Sequence, residues 1–342
     1  MKSRPHYLFL PAILFLVLLL SALDLKKEIE FTVPKGWPKP VYSFTRNKPN
    51  IKSFELGRAL FYDPILSRDS SISCESCHLS FTAFFHPDHR VSHGIAGLVG
   101  NRNAPSLVNL AWSPLLMWDG KARSIEEQAV LPITNPIEMD LKMADAVKKL
   151  QRSFKYRKMF FAAFKDSTVN EEKLLKALAM FTSNLVSYHS KYDSVMQKIK
   201  GVSFTESEQR GYMIFKQQCA SCHKEPLFTD HSFRNNGLPA DTFYKDAGRM
   251  KVTHNKNDSL KFRVPTLRNI EFSGPYFHDG RVNKLKEALK HYAELDRSNS
   301  DLDPDLRKGV GLDKQQLKDL TSFLRTLTDK YYLYNANYRP NN

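Results

Sequence analysis

"SISCESCHLS", residues 71–80, contains Cys74-Glu75-Ser76-Cys77-His78, and the same spacing returns as "CASCH" at 219–223. These two units hold all four cysteines of the chain, Cys74, Cys77, Cys219 and Cys222. A zinc site drawing on both pairs would have residues 78–218 between them, far beyond the usual ribbon spacing. A thioredoxin-like pair needs neither a histidine directly after it nor a second copy. Covalent haem attachment accounts for both units: two thioethers from the cysteines and the next residue as proximal iron ligand. Two haem c groups are therefore expected, with His78 and His223 as proximal ligands.

The chain has 342 residues and 42% hydrophobic composition, enough for two globular domains with real cores. Residues 1–23 stand apart. Lys2 and Arg4 precede an apolar run from Tyr7 to Leu23, broken by Pro11 and Ser21. That is the pattern of an export signal, cleaved or kept as an N-terminal membrane anchor. Either way the remaining chain is expected in the periplasm. A formal net charge of +15 favours acidic partners or an anionic membrane surface. No nucleic-acid module is recognisable, so no nucleic-acid partner is expected.

The two halves also repeat outside the cysteine units. "RNAPSLVNL" (102–110) aligns with "FRVPTLRNI" (262–270), and "MWDGKARSIEEQ" (117–128) with "FHDGRVNKLKEA" (277–288), each 160 positions apart. The haem units are only 145 apart. The first half thus carries an extra piece, "FFHPDHRVSHGIAG" and its neighbours. Thr205 and Glu208 form a capping box before a helix leading into Cys219. Residues 170–192 read as one helix after an Asn cap, with Leu174, Leu178, Phe181, Leu185 and Tyr188 on one face. Residues 313–327 read as a last helix, and strand-like alternation is nearly absent. The expected fold is mainly α, two cytochrome c-type haem domains related by internal duplication, dividing the chain at 24–200 and 201–342.

These residues resemble the bacterial di-haem cytochrome c peroxidase family, which includes the MauG proteins. The resemblance runs from about Phe54 to Thr328 and rests on "RALFYDPILS", "CESCH", "RNAPSLVN", "WDGKARSIEEQA", "NPIEM", "CASCH", "FRVPTLRNI" and "PYFHDG". It implies a peroxidatic haem in the N-terminal domain and an electron-relay haem in the C-terminal one. Hydrogen peroxide would be reduced to water with electrons from a small donor protein of cytochrome c or cupredoxin type. The resemblance further implies that Glu138 and Gln128 line the peroxide pocket, Glu138 as acid–base residue, and that Trp118 lies between the haems. Asn103 would give a side chain, and Ser273 and Pro275 backbone oxygens, to a calcium ion. The position of the second haem's sixth ligand falls on Tyr292, where most peroxidases of the family have Met and the MauG-like branch has Tyr. His291 is its rival. A homodimer stays open.

Tyr292 maps by the repeat onto Pro132, a residue that cannot ligate. The first iron is therefore expected open and the second closed, which suits peroxide chemistry and electron transfer respectively. Burial moves a carboxylate's pKa toward neutrality, as a proton shuttle in peroxide cleavage needs. His86, His89 and His93 follow the first haem unit; none matches the family's blocking ligand, which falls near Ile95. His278 reads as a packing residue, and Arg102 and Arg268 as partners of haem propionates. Besides the peroxidase, two other functions fit: a MauG-like oxidase that modifies a protein through high-valent haem, and a non-catalytic di-haem electron carrier.

Overall fold

The structure, a computed structural model, describes residues 31–309 and 311–340. The segment 1–23, read as signal or anchor, lies outside the described residues. Among them no helix is long and apolar enough to cross a membrane. Regular structure is almost all helical: α1 (Ile51–Tyr62), α2 (Ile125–Thr134), α3 (Met143–Arg152), α4 (Phe154–Phe164), α5 (Glu171–Ser183), α6 (Lys191–Met196), α7 (Glu206–Gln218), α8 (Leu285–Ala293) and α9 (Lys314–Arg325), with some single turns. The one described sheet pairs Phe233–Arg234 with Phe262–Arg263.

Each half is built on one helix crossing. In the first, α1 packs on α5; in the second, α7 packs on α9. Both crossings are made at a glycine. A Cβ on Gly57 would lie 1.9 Å from the Ala177 carbonyl oxygen, and one on Gly211 would lie 2.0 Å from that of Asp319. Only a bare α-carbon lets the backbones approach so closely. A trio of buried phenylalanines fills the space beside each crossing. Phe61 meets Phe181 and Phe84 at ring separations of 5.1 and 5.7 Å. Phe215 meets Phe323 and Phe228 at 5.1 and 5.3 Å. Truncating any of these to alanine is expected to cost about 3–5 kcal/mol.

The helix caps follow the sequence. Thr205 and Glu208 close a capping box on α7, whose C-cap is Cys219 itself. Asn170 caps α5 through the Lys173 N–H. The expected continuous helix over 170–192 does not form; α5 stops at Ser183 and α6 starts after a Ser190–Asp193 capping box. Buried polar side chains take the intervening backbone. Asn109 accepts from the Ser187 N–H, and Asp329 accepts from the His189 N–H. Two buried acceptors outweigh helix propensity here. Tyr192 then joins the core of Phe215 and Phe323, while Tyr332 and Leu333, from a single turn after α9, return to the core of Phe61 and Phe181.

The duplication is visible in backbone detail. Asn109 and Asn269 are both left-handed, at φ 58° and 59°, as are Met117 and Phe277 at 69° and 71°. Each half turns sharply at its Asp-Gly, between the bridged pairs Leu116–Ala122 and Tyr276–Val282. These turns dock the halves on each other. The Asn103 N–H donates to the His278 carbonyl at 2.7 Å, and the Arg263 N–H to the Trp118 carbonyl at 2.8 Å. Asn103 and Arg263 are repeat equivalents, as are Trp118 and His278, so the junction has a pseudo-two-fold axis. Gly120 lies against Phe233 of the second half, and Gly280 against the Arg90 backbone of the first.

Gly280 has φ 63°, and an added Cβ would sit 2.0 Å from the Arg90 oxygen. Gly280→Ala is therefore expected to destabilise the protein by about 1–3 kcal/mol or more through overpacking and strain. Thermal unfolding monitored by circular dichroism checks this; an unchanged Tm would show that the turn does not dock the halves.

Candidate active site

The two Cys-x-x-Cys-His units adopt one local structure. A single 3-10 turn carries Cys74–Ser76, and the His78 N–H donates to the Cys74 carbonyl at 3.0 Å. The His223 N–H donates to the Cys219 carbonyl at 2.9 Å. Each imidazole is then oriented by backbone. His78 Nδ1 lies 2.8 Å from the Phe84 carbonyl, and His223 Nδ1 lies 3.1 Å from those of Phe228 and Pro265. Phe84 and Phe228 both reach inward through left-handed backbone, each at φ 56°. A carbonyl only accepts, so Nδ1 carries the proton and Nε2 keeps the lone pair that a metal needs. Burial pushes His78 down to about 4 and also lowers His223, which favours the neutral, ligating form.

Burial pushes the thiols the other way: Cys74 and Cys219 up to about 12, Cys77 up to about 11, and Cys222 upward. Protonated thiols are poor zinc ligands. Among the described residues no group of His, Cys, Asp and Glu is arranged to hold a metal ion by itself. Paired thiols beside an imidazole with a free Nε2 fit a porphyrin linked through thioethers.

A cavity of about 550 Å³ opens against the first unit. Cofactor sites run from about 300 to 1,000 Å³. Cys74, Cys77, His78, Trp118, Gln128, Pro132 and Glu138 all line it, gathered from four separate stretches of chain. Gln128 and Pro132, one helical turn apart on α2, share its inner face. Asn135 Nδ2 donates to Glu138 Oε1 at 2.9 Å, while Oε2 has no protein partner among the described residues. Burial raises the Glu138 carboxyl above the ordinary range, and the Asn135 bond opposes this in part. The segment peculiar to the first half packs here: the Ile95 N–H donates to the Glu138 carbonyl at 2.7 Å. His86, His89 and His93 stack in a row, with ring centroids 4.6 and 4.3 Å apart, and only His93 of the three lines the cavity.

In the second half α8 occupies the place of α2, and Tyr292 the place of Pro132. Burial raises its hydroxyl pKa, against a hydrogen bond from Asn236, whose Nδ2 is 3.4 Å from the hydroxyl. His291 turns elsewhere, its Nε2 donating to the Asn236 carbonyl at 3.0 Å.

Trp118 lines both the large cavity and a second one of about 90 Å³ between the halves. Its Nε1 donates to the Asn103 carbonyl at 2.8 Å. Ser273 and Pro275 border the smaller cavity. Asn103 donates through Nδ2 to Arg90, but its Oδ1 is buried without a partner. His278 packs as expected, stacked on Phe262 at 3.6 Å.

Both arginines expected at propionates make ion pairs within the protein, and Arg102 also lines the large cavity. Arg268 is fully buried in a double hydrogen bond to Asp193 at 2.9 and 2.7 Å, beneath the Trp37 ring. Arg102 bridges Asp119 and Asp246. Arg263 and His231, which the sequence reading passed over, instead face the junction. The repeat held a signal for Arg263, since it aligns with Asn103.

Comparison with known proteins agrees with this geometry. A family model described as di-haem cytochrome c peroxidase matches residues 51–201, and the cytochrome c model matches 208–328. The methylamine utilization protein MauG of Methylophilus methylotrophus is 35% identical over 316 residues, 89% of each chain. The chain belongs to the di-haem cytochrome c peroxidase/MauG family. The cytochrome c551 peroxidase of Nitrosomonas europaea is 34% identical over 283 residues, 82% of this chain and 80% of the relative. Among solved structures, a MauG-like protein associated with microbial copper homeostasis superposes with a TM-score of 0.84 at 30% identity, covering 91% of this chain and 99% of its own. The protein is thus a mainly helical di-haem oxidoreductase with two covalently bound haem c groups.

A pyridine haemochrome assay on the purified protein is expected to give two haems per chain, and one for a Cys219→Ala/Cys222→Ala variant. One haem in the wild type would break the correspondence between the units and the cofactors.

Proposed function

We propose that this protein is a periplasmic peroxidase that reduces hydrogen peroxide to water with electrons from a small redox protein. The first half carries the reacting haem and the second relays electrons. The observation that supports this best is the difference between two equivalent helices. α2 presents Pro132 to a 550 Å³ cavity shared with Glu138 and Gln128. α8 carries Tyr292 at the equivalent position, with Asn236 Nδ2 3.4 Å from its hydroxyl. A side chain that cannot ligate leaves room for a substrate; a phenol in the same place supplies a sixth ligand.

Bound haem supplies the iron at which peroxide is held and electrons are delivered. Overall, H2O2 + 2 H+ + 2 e− gives 2 H2O. Glu138 accepts a proton from one peroxide oxygen and returns it to the other, through the Oε2 left free by Asn135. Gln128 hydrogen-bonds peroxide and orients it. Trp118, bordering both cavities, offers its π-system between the halves. Asn103 Oδ1, buried without a partner, would offer an oxygen to a calcium ion, with the Ser273 and Pro275 carbonyls as further donors, since such a hard cation prefers neutral and anionic oxygens.

Tyr292 favours a second reading, a MauG-like oxidase acting on a protein substrate. A phenolate is a hard anionic donor that stabilises ferric iron, whereas a Met thioether raises the potential. A simple electron carrier would need neither Glu138 nor the open cavity beside His78.

Glu138→Gln is expected to keep both haems but slow peroxide turnover about 10²- to 10⁴-fold, read by stopped-flow absorbance. In the wild type, activity should rise with pH through a pKa above the usual glutamate value of about 4.3, because the deprotonated form is the base. Turnover equal to wild type in the Gln variant would remove Glu138 from the reaction.

Tyr292→Met is expected to raise the second haem's reduction potential in a spectroelectrochemical titration, and the diferric wild type should react with peroxide without prior reduction. An unmoved potential, or a wild type that needs one-electron reduction first, would end the MauG-like reading.

A further inference from the structure

Arg263 is a buried cation without a counter-charge from the protein. It is 7% exposed. Its Nε donates to the Met117 carbonyl at 3.3 Å; its two terminal nitrogens have no partner, and no carboxylate among the described residues pairs with it. The contrast with Arg268 and Arg102 is sharp, since those are matched by Asp193 and by Asp119 with Asp246. Burial alone pushes the Arg263 guanidinium down to about 10. An unpaired buried ion is costly, so such a residue persists where something brings it a charge.

A second donor faces the same junction. Both ring nitrogens of His231 are buried without a partner. Arg263 and His231 line the 90 Å³ space between the halves, and Arg263 also lines the large cavity that holds Cys74 and Cys77. Burial, then the Arg263 charge, lowers His231 to about 4, so the pair is one fixed cation and one neutral imidazole. The Arg263 terminal nitrogens and the His231 ring can donate, and neither has an acceptor in the protein.

We propose that Arg263 and His231 form an anion site at the junction of the two cavities, occupied by a propionate carboxylate of a covalently bound haem c. The inference rests on the two haems, not on the peroxidase reading. The guanidinium fork matches a carboxylate with two parallel hydrogen bonds. A tethered cofactor holds its carboxylate at a high local concentration beside the guanidinium, whereas a free inorganic anion has to compete with solvent. The position also explains the repeat. Asn103 offers an unpaired oxygen to a cation on one side of the pseudo-two-fold axis, and its equivalent Arg263 offers unpaired N–H groups to an anion on the other. A positive charge held against a propionate favours the ferrous state of that haem, because it offsets part of the negative charge that reduction adds.

The test uses the full-length holoprotein. Arg263→Gln should keep two haems by pyridine haemochrome while shifting one haem's reduction equilibrium about tenfold toward ferric, which is ~59 mV for one electron. Arg263→Lys keeps the charge and should stay within about twofold of wild type. His231→Phe should move the same haem in the same direction by less. Inorganic phosphate, titrated at constant ionic strength, should leave the wild-type potentials unmoved. Two unmoved potentials in a fully loaded Gln variant would overturn the proposal. A Lys variant shifted as far as Gln would also do so, and so would wild-type potentials that follow phosphate, which would mark a free anion. If the Gln variant loses a haem, the Lys and His231→Phe variants decide: a Lys variant near wild type with a shifted Phe variant supports the site, and an unshifted Phe variant removes His231 from it.

Discussion

Two backbone hydrogen bonds, Asn103 N–H to His278 and Arg263 N–H to Trp118, join the halves across a pseudo-two-fold axis. Much of the functional geometry depends on this docking. It puts Trp118 where it borders both cavities, and it turns Asn103 and Arg263 toward the seam. The flanking Asp-Gly turns fit because their glycines tolerate positive φ and leave space that a methyl group would fill. Around them Arg102 bridges Asp119 of its own half to Asp246 of the other, and Arg90 reaches Asp241 and Asp279. Where a buried pair is fully satisfied in this way, it specifies one docking and penalises others.

Within that symmetric frame the chemistry comes from departures from symmetry. The histidines of the two cysteine units are oriented alike, each Nδ1 donating to a carbonyl on left-handed backbone. What differs is the opposite side. One helix offers Pro132 and the other Tyr292, and the first half adds the segment from His86 to Gly97, which closes over the Glu138 backbone. A duplicated scaffold thus gives two haem units of similar construction around their histidines, and in the proposed function single substitutions on equivalent helices decide which admits a substrate.

Much of this was legible in the sequence. The Cys-x-x-Cys-His units consumed every cysteine, and the 160-residue repeat is matched in the structure by paired turns and left-handed asparagines. Thr205 with Glu208, and Asn170, marked helix starts because capping is local chemistry. The helix over 170–192 was misread because its end is set by Asn109 and Asp329, which come from distant parts of the chain. The carboxylate partners of Arg268 and Arg102 were not legible for a similar reason: a guanidinium goes to the carboxylate nearest in space, and spacing along the chain does not name it.

The sequence by itself determined the covalent cofactor sites, the helical class and the duplication, since each depends on residue type at short or repeated spacing. Tertiary structure alone decided which groups were left unsatisfied. That Asn103 Oδ1, the His231 ring and the Arg263 terminal nitrogens lack partners is decided only when the whole chain is packed. Satisfaction of buried polar groups is a property of the whole packed chain. No local pattern records it.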